Sequence, residues 1–238
     1  MKTGLARPHW IAAAVLGVTM ATVAVFSPAA DAGKETAMTQ TNTVTLGATR
    51  YAIPKDYLDG PLEFKGEKQG AVLLRAMLPS FTPDSGDYGG KPARLALMAI
   101  LLREPAVKNG VVQDVLEIDY RLYVGDLTPQ GMQEPAHPLE PAFDGLRRVI
   151  GRDESTDRWK TYPDVYIEGD EQHPTLVMSC TRAGVGVVKY PNCNLGFMDG
   201  QTQVNLTVAL EHAERWRELR ADALNLLAGF RKQSAAGK

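Results

Sequence analysis

TLVMSCTRAGVGVVKYPNCNLGFMDGQTQVNLTVAL, Thr175 to Leu210, decides how this chain is built. Thr175–Cys180 and Asn194–Met198 are apolar runs of strand length. Asp199 and Gly200 follow, a pair that tolerates positive φ and predicts a two-residue type I′ hairpin turn. On the return, Val204, Leu206, Val208 and Leu210 alternate with Asn205, Thr207 and Ala209, the period of two of a strand with one buried face. Cys180 therefore ends one predicted strand and Cys193 begins the next.

Those are the only two cysteines among the 238 residues. In an oxidising compartment they can close the short loop between them. The predicted disulfide stabilises by about 3 kcal/mol through loop-closure entropy. A zinc site fits less well, since zinc takes four ligands. A redox couple fits less well again, because the spacing is not C-x-x-C.

Beyond Leu210 the period changes. Trp216, Leu219, Ala223, Leu226, Leu227 and Phe230 form one apolar stripe on a helix spanning Glu211–Lys232. Arg215, Glu218, Arg220, Asp222 and Arg231 occupy the other faces, and Arg231 and Lys232 suit the negative helix end. A stripe of this kind packs on the chain's own sheet.

Upstream, Thr45–Ile53 reads as a strand closed by Pro54, and Ala71–Leu78 as a largely buried one. Thr82–Pro92 is an exposed loop rich in Gly, Pro, Asp and Ser. Leu95–Leu102, bounded by Pro92 and Pro105, reads as a central strand. Leu116, Ile118, Tyr120, Leu122 and Val124 alternate with Glu117, Asp119 and Arg121, again the period of a strand. Residues 126 to 145 read as an irregular connection, and Leu146–Ile150 and Asp164–Glu168 as short strands. IPKDYLDG (53–60) and YPDVYIEG (162–169) resemble one another, a weak echo of two halves. The expected class is α+β: mainly antiparallel sheet, one disulfide, and a C-terminal amphipathic helix packed on one face. Residues 45–238 form one domain, with 126–145 as the boundary should there be two similar halves.

The first 32 residues read as an export signal. Lys2 and Arg7 precede an uncharged run from Trp10 to Phe26, and Ala30-Asp31-Ala32 supplies a cleavage site ending at Ala32. Residues 33–44 are polar and read as a tether. The expected location is periplasmic or secreted; retention of the signal would instead anchor the chain in the inner membrane. No cysteine follows the apolar run to carry a lipid. Without residues 1–32 the net charge is −3, which points away from a nucleic-acid partner.

Chemistry is sparse. G-x-S-x-G, S-x-x-K and H-E-x-x-H are all absent. Gly184–Val188, GVGVV, lacks the third glycine of a dinucleotide loop. Asp153, Ser155 and Asp157 open like a calcium loop, but Arg158 stands where glycine is required. Of His137, His173 and His212, only His173 has acids beside it, Asp170 and Glu171, on what reads as a solvated turn. No catalytic, cofactor or metal residue is assigned; Cys180 and Cys193 are the assigned pair. The expected function is therefore non-enzymatic: an exported protein that binds another protein, as inhibitors and immunity proteins against periplasm-acting toxins do. Glu168 to Glu171, Asp84 and Asp87 would offer a basic partner complementary charge. The alternatives are an envelope hydrolase with scattered carboxylates and a membrane-tethered structural component.

Overall fold

A computed structural model describes residues 40–59, 65–124, 137–150, 163–182, 184 and 188–236. In chain order the strands are β1 (Thr41–Leu46), β2 (Thr49–Pro54), β3 (Lys65–Gln69) and β4 (Ala71–Met77), followed by the single turn α1 (Ala93–Ala96). Then come β5 (Leu97–Arg103), β6 (Val107–Lys108), β7 (Val111–Val112) and helix α2 (Val115–Val124). The remainder is β8 (Leu139–Pro141), β9 (Arg147–Val149), β10 (Asp164–Gly169), β11 (Pro174–Cys180), β12 (Asn192–Asp199) and β13 (Thr202–Ala209). A 3-10 turn, Leu210–Arg215, leads into the C-terminal helix α3 (Trp216–Ala236).

Eight of these strands make one antiparallel sheet in the order β4-β5-β13-β12-β11-β10-β9-β8. Alternation along each strand sorts side chains between its two faces. Leu74, Ile100, Leu206, Leu195 and Met178 are successive cross-strand partners, and all are buried on the inner face. Against that face lie α3 and a three-stranded sheet in the order β2-β1-β3. The α3 stripe buries Trp216, Leu219, Ala223, Leu227 and Phe230 into the shared core, beside Val44, Leu46, Tyr51 and Ile53 of the small sheet. Tyr57 meets Phe230 edge-on at 5.2 Å, and the Tyr51 hydroxyl donates to Thr202 Oγ1 at 2.9 Å. The α+β class and the packed C-terminal helix are therefore as the sequence predicts.

Cys180 and Cys193 form the predicted disulfide. They are direct cross-strand partners in β11 and β12, and both are buried toward the inner face. Thr181 N donates to Asn192 O at 2.8 Å, and Asn192 N donates to Thr181 Oγ1 at 2.7 Å. The loop's base is thus fixed by a covalent bond and two hydrogen bonds.

Several expectations are corrected. The stretch from Leu116 to Val124 is a helix, not a strand. Asp114 Oδ1 accepts the N–H groups of Leu116 and Glu117 at 3.1 and 3.0 Å, an N-cap with Glu117 at the capping-box position. Glu117 then pairs with Arg121 one turn on, at 3.2 Å. Val115, Leu116, Tyr120 and Val124 are buried together by this winding, whereas Leu122 stays 52% exposed. The alternating pattern had counted Leu122 as core and passed over Val115.

Thr45–Ile53 is not one strand but parts of two, β1 and β2, folded back at Gly47 with φ +58°. Because β1 begins at Thr41, the last four residues expected of the tether lie in a strand. The β12–β13 turn is Gly200-Gln201 rather than Asp199-Gly200, since Asp199 pairs with Thr202. Gly200 alone has positive φ, the mark of a type II′ turn, not I′. Finally, Leu95 and Ala96 belong to α1, and the strand proper starts at Leu97. The expected boundary at 126–145 is described only from His137, where β8 and a 3-10 turn at Phe143–Gly145 replace irregular chain. The two similar octapeptides fold differently: Lys55–Tyr57 is 3-10 helix, whereas Asp164–Gly169 is strand. The export signal, residues 33–39 and the calcium-like stretch 153–158 lie outside the described residues.

Candidate interaction surface

α2 covers only part of the outer sheet face. It packs over β10, β11 and β12, where Leu116, Tyr120 and Val124 meet Val165, Ile167 and Val177. Its inner edge is polar. Gln203 Nε2 donates to Asp119 Oδ2 at 2.7 Å, directly beside Gly196. A Cβ on Gly196 would press on Asn205 Oδ1 at 3.1 Å and meet Leu116 and Asp119 of α2 at ordinary contact, 3.6 and 3.7 Å. Burial raises the Asp119 pKa, and the Arg103 charge and the Gln203 hydrogen bond only partly offset it.

Past α2 the outer face lies open over β4, β5 and β13. Register places Arg75, Ala99, Thr207 and Asn194 in one cross-strand row and Leu73, Leu101, Asn205 and Gly196 in the next. At the α1 end this face sinks into a trough of about 430 Å³, with Leu97 and Ala99 in its floor and Arg75, Arg94, Tyr190, Asn192 and Thr207 around it. Tyr190, on the descending arm of the cysteine loop, is 57% exposed. Its ring centroid lies 5.1 Å from the Arg94 guanidinium carbon and 5.2 Å from Lys189 Nζ. Arg94 in turn pairs with Glu211 at 2.7 Å, and His212 Nε2 donates to Leu95 O at 3.0 Å. These two contacts tie α1 to the turn before α3, so the trough wall is held from behind.

At the opposite end projects the β6–β7 hairpin. Val107 pairs with Val112 and Lys108 with Val111, and Asn109 and Gly110 both have positive φ, as a type I′ turn requires. Gln113 N donates to Ala106 O at 2.9 Å and closes the hairpin's base. Val107, Val111 and Val112 are 59%, 62% and 62% exposed. Three β-branched apolar side chains exposed on one hairpin are costly to leave in water.

The acids expected to meet a basic partner also make contacts within the chain, and Asp87 and Asp170 remain exposed. Glu168 accepts from Arg220 at 2.6 Å and from Thr175 at 2.7 Å. Burial works against its ionisation, but these donors hold its carboxyl below the usual range. Asp170 Oδ1 accepts the N–H groups of Gln172 and His173, which draws its pKa down and makes the turn. Asp170 Oδ1 also lies 3.6 Å from His173 Nδ1, whereas Glu171 faces elsewhere and accepts from the Tyr120 hydroxyl at 2.7 Å. Asp84 and Asp87 accept the N–H groups of Gly86 and Gly89 in their loop. Among the described residues no three His, Cys, Asp or Glu side chains gather as metal ligands. Nor is any helix there long and apolar enough to cross a membrane. GVGVV is described only at Gly184 and Val188.

Neither Tyr190 and the arginines nor the valine hairpin was marked by a motif. The hairpin had a legible signal, Asn-Gly flanked by valines. The trough had none, because its residues come from separate parts of the chain.

The sheet, with a core on each face and a partly covered outer side, defines an α+β protein whose described surface carries an open trough and an exposed hairpin. No protein-family model and no curated protein matches the sequence. Among solved structures, the chain is similar to an immunity protein of the Stenotrophomonas maltophilia type IV secretion system, at TM-score 0.56 and 16% identity over 81% of this chain and 93% of that one. It also aligns with the iron-regulated outer membrane lipoprotein FrpD of Neisseria meningitidis, at TM-score 0.48 and 12% identity over the same shares. The first likeness is one of fold.

Proposed function

We propose that this is an exported, non-enzymatic protein that binds another protein, in the manner of an immunity protein masking a toxin that acts in the periplasm. The carrying observation is the β6–β7 hairpin, whose three valines are exposed together on one turn. A convex apolar finger of this kind is received by a concave site on a partner, the geometry an inhibitor needs. The buried disulfide supports an oxidising location, and the fold shared with an immunity protein supports the class.

Val111→Asp together with Val112→Asp tests the reading. Both side chains lie mostly in water, so the melting curve should not move. Affinity capture from envelope extract should recover one stoichiometric partner with the parent protein and lose it with the variant. Recovery of no partner, or of the same partner by both proteins, would overturn the reading.

A further inference from the structure

The trough at the α1 end carries charge of one sign. Among the described residues lining it, Arg75 and Arg94 are the charged ones and no carboxylate is present. Each guanidinium touches one acid outside the lining, Asp59 at 3.1 Å and Glu211 at 2.7 Å. Both pairs are substantially solvated, so they bind their arginines weakly and leave donors of each five-donor fork for a second carboxylate. Lys189 adds a third positive charge at the rim beside Tyr190. The floor is apolar, Leu97 and Ala99, and Asn192 and Thr207 supply neutral polar groups. Its volume of about 430 Å³ falls in the range of sites that enclose a small group of side chains.

We infer that the trough receives an acidic segment of the protein partner, a carboxylate side chain flanked by an aliphatic or aromatic one. The carboxylate meets Arg75 and Arg94, and its apolar neighbour lies on Leu97 and Ala99 against the Tyr190 ring. The sign is opposite to that of the acidic segment Glu168 to Glu171, which the sequence offers as a binding surface. This rests on the protein-binding reading above and adds the chemistry of the partner. β5 runs from the trough to the root of the valine hairpin, about 20 Å at strand rise, so one standard-sized partner reaches both.

Two synthetic nonapeptides test it, one alternating Glu with Leu and Phe, the other with Lys at every Glu position. Titrated into the purified protein and followed by fluorescence anisotropy, the acidic peptide should bind at least about tenfold more tightly. Arg75→Glu should abolish or reverse that preference, and Tyr190→Ala should weaken the acidic peptide about tenfold. Both side chains are largely solvent-facing, and an unchanged near-ultraviolet spectrum establishes that each variant is folded. Equal affinity for both peptides, no binding at millimolar concentration, or indifference to Arg75→Glu overturns the proposal. So does an oligonucleotide that competes as well as the acidic peptide, or self-association that Arg75→Glu abolishes. A captured partner lost on mutating Val111 and Val112 but retained by Arg75→Glu and Tyr190→Ala would leave protein binding standing and remove only the trough.

Discussion

Asp119 sits where a carboxylate is least at home, under the inner edge of α2 with Gln203 as its hydrogen-bond donor. Burial raises its pKa in the folded state. Between the unfolded and the folded values the native protein therefore binds more protons than the unfolded chain, and stability falls as pH rises through that window. Asp119→Asn keeps an acceptor for Gln203 and removes the titration. Urea unfolding of parent and variant at about pH 4 and pH 7 should show the variant gaining relative to the parent at the higher pH. A relative loss at pH 7 would mean that attraction to Arg103 outweighs burial. Glu168 behaves with the opposite sign: donors from Thr175 and Arg220 lower its pKa, so its contribution is present at neutrality and lost on acidification through the folded value.

At the scale of one element, α2 is the informative case because two periods compete in it. Its apolar residues alternate as in a strand, yet Val115, Leu116, Tyr120 and Val124 also share one helical face. Asp114 tips the balance, since its side chain satisfies two N–H groups that only a helix leaves unpaired. Asp114→Ala should cost about 1 kcal/mol of stability. Hydrogen exchange should quicken in α2 first, with β12 and β13 unaffected; uniform acceleration would mean that the cap does not act locally. The capping pair Asp114 and Glu117 was legible in the sequence, and reading it would have separated helix from strand. α3 raised no such conflict: its stripe matches only the helical period, although Glu211–Arg215 of the expected span is 3-10 and the α-helix runs from Trp216 to Ala236.

For the whole molecule, the disulfide links fold to compartment. Cys180 and Cys193 face the main core from neighbouring strands, so reduction would free two thiols inside it. Replacing both with alanine should remove about 3 kcal/mol, measured by urea titration. Protein recovered from the envelope should begin at Gly33 and show no free thiol after denaturation without reductant. Recovery from the cytosol at full length with two titratable thiols would sink export and bridge together. The open part of the outer face belongs to the same scale: α2 packs over β10 to β12 and touches β13 at Gln203, which leaves the trough at the α1 end uncovered.

Patterns whose cause is local were decided by the sequence. β13 and α3 repeat their apolar residues at the period of the element itself, β11 is a continuous apolar run because both its faces are buried, and the cysteines fall at strand ends that these runs define. What required the tertiary structure was every choice between nearly equal local options, and every surface assembled from distant parts. β1 and β2 became two strands because pairing with each other satisfies their backbones. The trough brings Arg75, Ala99 and Thr207 together through sheet register, and the cysteine loop adds Tyr190. Periodicity carries no information about which strands become neighbours, and neighbours determine which charges share a surface.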